Sequence, residues 1–175
     1  IIIQCNSEAQ KEYTIGGVTG NISDYSMSIP GPAPLARFIW DYAKEKGHEV
    51  SAKVQVTTTS ECSTLPFLPV FDLIREHMTG LKDADVKHLM LSWTLGGYPS
   101  VNLKVSSACL KDEREEKYME LLREEYGEYA EKVKKAATLF SDAFREFPFH
   151  VKSLYRGPQN GGPANLLYRK PTGFE

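Results

Sequence analysis

Val70-Phe71-Asp72-Leu73-Ile74-Arg75-Glu76-His77-Met78-Thr79-Gly80 is the stretch whose reading decides the fold. Val70, Leu73, Ile74, His77 and Met78 recur at three- and four-residue spacing, which sets them on one face of a helix. Gly80 reads as the residue that closes it. Upstream, Ser51 to Thr59 carries Val54, Val56 and a threonine run, the chemistry of a strand. Pro66 and Pro69 punctuate the loop between. Downstream, Val86 to Trp93 is an apolar strand that Gly96-Gly97 ends. A strand, an amphipathic helix and a second strand imply a crossover and hence a parallel sheet.

Working outward toward the N-terminus, Leu35, Phe38, Ile39, Tyr42 and Ala43 again fall on one helical face. Ile29-Pro30-Gly31-Pro32 supplies helix-start chemistry, and Gly47 fits just past the helix end. Ile1 to Asn6 reads as a buried strand, and Val18 to Ser28 as a second strand ending around Asp24-Tyr25-Ser26. Toward the C-terminus, Lys111 to Phe147 is dense in Glu, Lys, Arg, Ala and Leu, which favours helix. Gly127 divides it in two. On the second helix, Tyr129, Val133, Ala136, Phe140 and Phe144, with Ala137 and Ala143 beside them, form an apolar stripe, and Pro148 stops it. The rest is loop-rich, with Leu166-Leu167-Tyr168 as a candidate short strand. The expected organisation is an α/β region over 1–110 and a helical extension with a loop-rich tail over 111–175.

Bulk composition excludes several classes. The 175 residues are 41% hydrophobic and 25% charged, ordinary for a folded domain. Lys and Arg number 21 against 23 Asp and Glu, so no global charge draws the chain to nucleic acid or to an anionic membrane. No apolar run approaches the ~20 residues of a membrane helix. The chain has no initiator Met and opens on Ile1-Ile2-Ile3 as if in mid-strand, so both ends are expected to be cuts in a longer chain. Localisation stays open on this basis, with the cytoplasm slightly favoured. Cys5, Cys62 and Cys109 are odd in number and match no zinc spacing. His48, His77, His88 and His150 show no ligand spacing, and His77 reads as a core histidine. Neither a P-loop, a dinucleotide fingerprint nor a Gly-x-Ser-x-Gly elbow occurs. No metal and no organic cofactor is implied.

Ligands of parallel α/β proteins gather at the C-terminal ends of strands. This chain places Ser7-Glu8, then Asp24 and Tyr25, then Ser60-Glu61, then Trp93 to Tyr98 at those positions. Carboxylates beside aromatic rings suit sugars, whose hydroxyls meet carboxylates and whose ring faces stack on aromatics. Each residue has a plainer reading as well. Glu61 fits a solvated loop or a helix cap, Asp24 a turn, and Trp93 a core position.

Ala52-Lys53-Val54-Gln55-Val56, Ser60-Glu61, Leu65-Pro66-Phe67-Leu68-Pro69 and Leu91-Ser92-Trp93-Thr94-Leu95-Gly96-Gly97-Tyr98-Pro99 together resemble the last strands of barrel glycoside hydrolases. The resemblance is to large bacterial glycoside-hydrolase-like proteins of the alpha-glucuronidase or hexosaminidase type. Phe140-Ser141-Asp142-Ala143-Phe144 and Phe147-Pro148-Phe149 are similar to the helical region that follows the barrel in such proteins. The resemblance implies the C-terminal half of a (β/α)₈ barrel plus a helical extension, a fragment of the catalytic domain. Glu61 would then end strand seven, the nucleophile's place in retaining enzymes, and Trp93 would floor the sugar site from strand eight. Tyr25 and Tyr98 would shape that site, with Glu8 and Asp24 as polar contacts. The acid/base glutamate of that family ends strand four, which this chain lacks, so the fragment alone is expected to be inactive. Its implied partners are an oligosaccharide or glycoside and the missing N-terminal half of the barrel, with self-association through uncovered sheet edges. Two other readings stand beside this one: a non-catalytic carbohydrate-binding or scaffold domain derived from such a barrel, and a small complete α/β domain of unrelated function.

Overall fold

The computed structural model describes residues 1–56, 67–91 and 99–147. Its central strand is β4 (Glu49–Val54), which lies between β1 (Ile2–Asn6) and β5 (His88–Leu91), parallel to both. Val50, Ser51, Ala52 and Val54 are buried, as a strand covered on both faces requires. In β1, by contrast, Ile2 is half exposed. The expectation of a buried first strand is corrected: among the described residues β1 is an edge, with a neighbour on one side only. Among the described residues the sheet is open and three-stranded, so the α/β class stands and no closed barrel is formed.

The fourth expected strand, Val18 to Ser28, does not join this sheet. Only Val18–Asn21 (β3) is extended, and it pairs antiparallel with β2 (Glu12–Ile15) in a separate hairpin. Gly16 and Gly17 explain the hairpin, because both adopt positive φ, as a tight two-residue turn demands. Residues 22–30 then run irregularly, and Tyr25, Ser26, Met27 and Ser28 are buried without strand pairing.

Three helices follow the three parallel strands in order. Helix α1 (Pro34–Glu45) follows β1 and the hairpin, α2 (Phe71–Asp83) follows β4, and α3 (Val101–Lys111) follows β5. The buried face of α1 is Ala36, Trp40 and Ala43, with the Trp40 indole N–H donating to Ser51 O at 3.1 Å. Small residues let this helix lie close on the sheet. The expected face is therefore corrected: Leu35, Phe38 and Tyr42 point outward, Phe38 at 69% exposure. Helix α2 buries Leu73, Ile74, His77 and Met78 as expected, but it runs on past Gly80. Gly80 serves packing rather than termination, since a Cβ there would meet Pro32 Cδ at 2.7 Å.

Helices α4 (Glu115–Tyr126) and α5 (Ala130–Arg145) are split by a 3₁₀ turn at Gly127–Tyr129, with Gly127 at φ +56°. They pack on α2 and α3 within the same core: the Phe71 and Tyr118 rings meet edge-on, and the Arg75 guanidinium lies 4.3 Å from the Tyr118 ring centre. On α5, Ala130, Ala137 and Ser141 are buried, and Val133 and Phe144 of the expected stripe pack against the core, whereas Tyr129 and Phe140 are exposed. Polar bonds fix this contact. Thr138 Oγ1 donates to Asp72 Oδ2 at 2.7 Å, and the Asp72 N–H donates to Ser141 Oγ at 3.3 Å. No helix among the described residues is long and apolar enough to cross a membrane.

Candidate functional site at the strand ends

Because β1, β4 and β5 are parallel, their C-terminal ends lie along one edge of the sheet. Asn6 ends β1 there, and its side-chain amide donates to the Asp24 carboxylate, which arrives from the irregular segment after the hairpin. Lys53, near the end of β4, holds its ammonium 5.1 Å from the centre of the Tyr25 ring. An amide, a carboxylate, an ammonium and a ring therefore converge around one strand end. Asp24, Asn6 and Lys53 are half-buried and keep some access to solvent, whereas Tyr25 is 2% exposed and belongs to the core.

Glu8 stands one step deeper and is wholly enclosed. Ser7 Oγ donates to Glu8 Oε2 at 2.9 Å and lies 2.7 Å from His77 Nε2, while His77 Nδ1 faces Glu8 Oε1 at 3.6 Å. Burial pushes the Glu8 carboxyl up to about 8, against the pull of the Ser7 hydroxyl, and nearby Asp24 adds to the rise. Burial likewise pushes the His77 imidazole down to about 3, helped by Lys11. Both groups are neutral at pH 7, so their 3.6 Å contact is not an ion pair, and it is too long for a hydrogen bond.

Of the residues singled out from the sequence, the structure brings Glu8, Asp24 and Tyr25 together around the end of β1. Glu61, Trp93 and Tyr98 lie outside the described residues. Sequence reading placed Ser7 beside Glu8 at the strand end but missed Asn6, Lys53 and the link from His77. Asn6 had a usable signal, being a polar residue that terminates a β-branched run. Asn102 was missed too. It sits at the start of α3, fully buried, and its amide donates to Val56 O at 3.0 Å and to Leu68 O at 2.8 Å. It thus ties together the two points between which the chain segment bearing Glu61 leaves and returns.

Comparisons with protein families, with curated proteins and with solved structures found no match. The site is therefore read on its chemistry alone. Among the described residues, no group of three His, Cys, Asp or Glu side chains gathers as a metal site. A shallow concavity open to solvent lies at the opposite end of the sheet, lined by Lys44, His48, Glu49, Val50, Asp85 and Lys87. It gathers around the start of β4, the end of a parallel sheet more often tied to stability than to chemistry.

Proposed function

We propose that the chain is part of the catalytic (β/α)₈ barrel of a carbohydrate-active glycoside hydrolase, acting on O-glycosyl bonds with retention. Three parallel strands, adjacent in chain order and each followed by a helix, are what consecutive units of such a barrel require. With three such units instead of four, the strands count as the sixth to eighth. Glu61 still follows the seventh in sequence and Trp93 the eighth.

The observation that carries the reading is the convergence of Asp24, Asn6 and Lys53 at the end of β1, on the sheet edge where barrel ligands bind. Charged and amide groups in a half-buried setting suit sugar hydroxyls. On this reading Glu61 is the nucleophile, Trp93 and Tyr98 are sugar platforms, and Asp24 is a hydroxyl contact, with Tyr25 beneath it. Glu8, enclosed behind Ser7, supports the strand end and does not touch substrate. The acid/base carboxylate comes from the N-terminal part of the barrel.

Glu61→Gln in the complete barrel protein tests this. Turnover of an aryl glycoside should fall by orders of magnitude while sugar binding survives. If neither turnover nor binding changes, the catalytic reading is lost and the non-catalytic carbohydrate-binding domain takes its place. In the active protein, a separation of roughly 5–5.5 Å between Glu61 and its partner carboxyl fits retention, and roughly 6.5–9.5 Å fits inversion.

A further inference from the structure

We propose that Ser7, Glu8 and His77 are positioning residues: a buried chain of hydrogen bonds, from His77 through Ser7 to Glu8, that fixes the backbone as it leaves β1 and so sets where the Asn6–Asp24 pair stands.

Donors and acceptors can be assigned along this chain. Ser7 has one hydroxyl proton, given to Glu8 Oε2 at 2.9 Å. The 2.7 Å contact to His77 Nε2 must then be an N–H donating to Ser7 Oγ. That tautomer leaves a bare lone pair on Nδ1, which faces Glu8 Oε1 at 3.6 Å, beyond hydrogen-bond range. Oε1 is buried and has no hydrogen-bond partner. Loss of the Glu8 proton would set a full negative charge beside that lone pair in a dry site, which strains the chain at its Glu8 end.

Ser7 passes this order on to the backbone. Its N–H donates to Lys53 O at 3.2 Å and its C=O accepts from Ala33 N at 2.7 Å, so residue 7 is tied to β4 and to the start of α1. Its side chain ties it to α2. Gly31 closes over the group so tightly that a Cβ there would lie 2.7 Å from Ser7 O and 2.9 Å from His77 Nε2. No substrate reaches Ser7 Oγ. The three residue types of hydrolytic triads therefore serve here as a strut, not as nucleophile, base and orienter. Asn6 is the residue immediately before, and its amide holds Asp24. The titratable groups facing Glu8 are Asp24 from the segment after the hairpin, Lys11 from the turn after β1, Cys5 on β1 and His77 on α2; the residue just past β4, Gln55, presents a backbone N–H.

The inference rests on the carbohydrate reading only for what Asp24 is used for, and its test reads the pair directly. In the full chain with ¹⁵N-labelled asparagine and histidine, His77 should show the Nε2–H tautomer at neutral pH. The Asn6 side-chain amide resonance should shift with a midpoint near 8 as Glu8 ionises. Glu8→Gln should abolish that titration, and Ser7→Ala should displace the Asn6 resonance at every pH while far-UV circular dichroism is kept. The wild-type titration needs no variant to fold. An Asn6 resonance that ignores both the Glu8 titration and the Ser7→Ala change would overturn the proposal and leave the three residues as core filling. Absence of sugar binding with the NMR coupling intact would instead count against the carbohydrate reading alone.

Discussion

Glu8 and His77 are neutral for one reason, burial, yet they bend the pH dependence of stability in opposite directions. The folded Glu8 keeps its proton to about 8, from an ordinary value of 4.5. Across that window the unfolded chain has already released the proton, so this contribution is full below 4.5 and lost as pH rises toward 8. His77 is depressed from 6.5 to about 3, so its contribution is full above 6.5 and lost as pH falls toward 3. Between 4.5 and 6.5 the two slopes cancel. Urea unfolding across pH should show this pair giving a plateau there with a decline on either side. Glu8→Gln should flatten the alkaline decline; an unchanged decline in that variant would assign it to other groups. The sequence made Glu8 visible as a polar residue at a strand end and His77 as a core histidine. It could not show that they meet, because they lie 69 positions apart and the contact depends on how α2 lies against β1.

At the scale of elements, strand chemistry and helix period were legible, and facing was not. Every helix expected over 34–83 and 115–145 is present, since period and β-branched runs report local structure. The faces of α1 and α5 were legible only in part: Ala43, and Ala137 with Val133 and Phe144, lie against the core as expected, but Leu35, Phe38, Tyr42, Tyr129 and Phe140 point outward, because packing selected small residues that allow close approach, Ala36 beside Trp40 on α1 and Ala130 and Ser141 on α5. Helix α3 was not anticipated, having only a weak apolar stripe. Two predictions follow from contacts between elements. Gly80→Ala raises helix propensity by about 1 kcal/mol, yet it drives a Cβ into the rigid Pro32 ring. Overpacking at about 1–3 kcal/mol outweighs propensity, so thermal unfolding should show a net loss; a raised Tm would mean the turn yields easily. Asn102→Leu removes a donor from the carbonyls of Val56 and Leu68. Leu68 O keeps the Val70 N–H at 2.8 Å, so the cost falls on Val56 O, and stability should drop by about 1–3 kcal/mol if that carbonyl stays dry. If the proposed function holds, kcat of the complete protein should fall further than that loss explains, because the segment bearing Glu61 loses its tie.

For the whole molecule, the decisive fact is which surfaces the described residues leave uncovered. Helix α1 presents Leu35, Phe38 and Tyr42 outward at three- and four-residue spacing, a second apolar stripe on a helix whose inner face is already packed. On the sheet, β1 has an unpaired edge where Ile1 is 89% exposed and Ile2 half exposed, and β5 has the other edge, with Met90 exposed. Two open parallel edges and an apolar helix face are what remains when neighbouring strand–helix units are taken away, and exposed edges recruit further strands. The chain made by itself should therefore associate, and light scattering after size-exclusion chromatography should give a mass above 19.7 kDa that grows with concentration. Phe38→Glu combined with Leu35→Lys should return much of it to monomer without loss of helical circular dichroism, since neither side chain enters the core. Wild-type chain that stays monomeric and cooperatively folded at high concentration would mean these surfaces need no cover, and the three units would then be a self-sufficient α/β domain instead of a portion of a barrel.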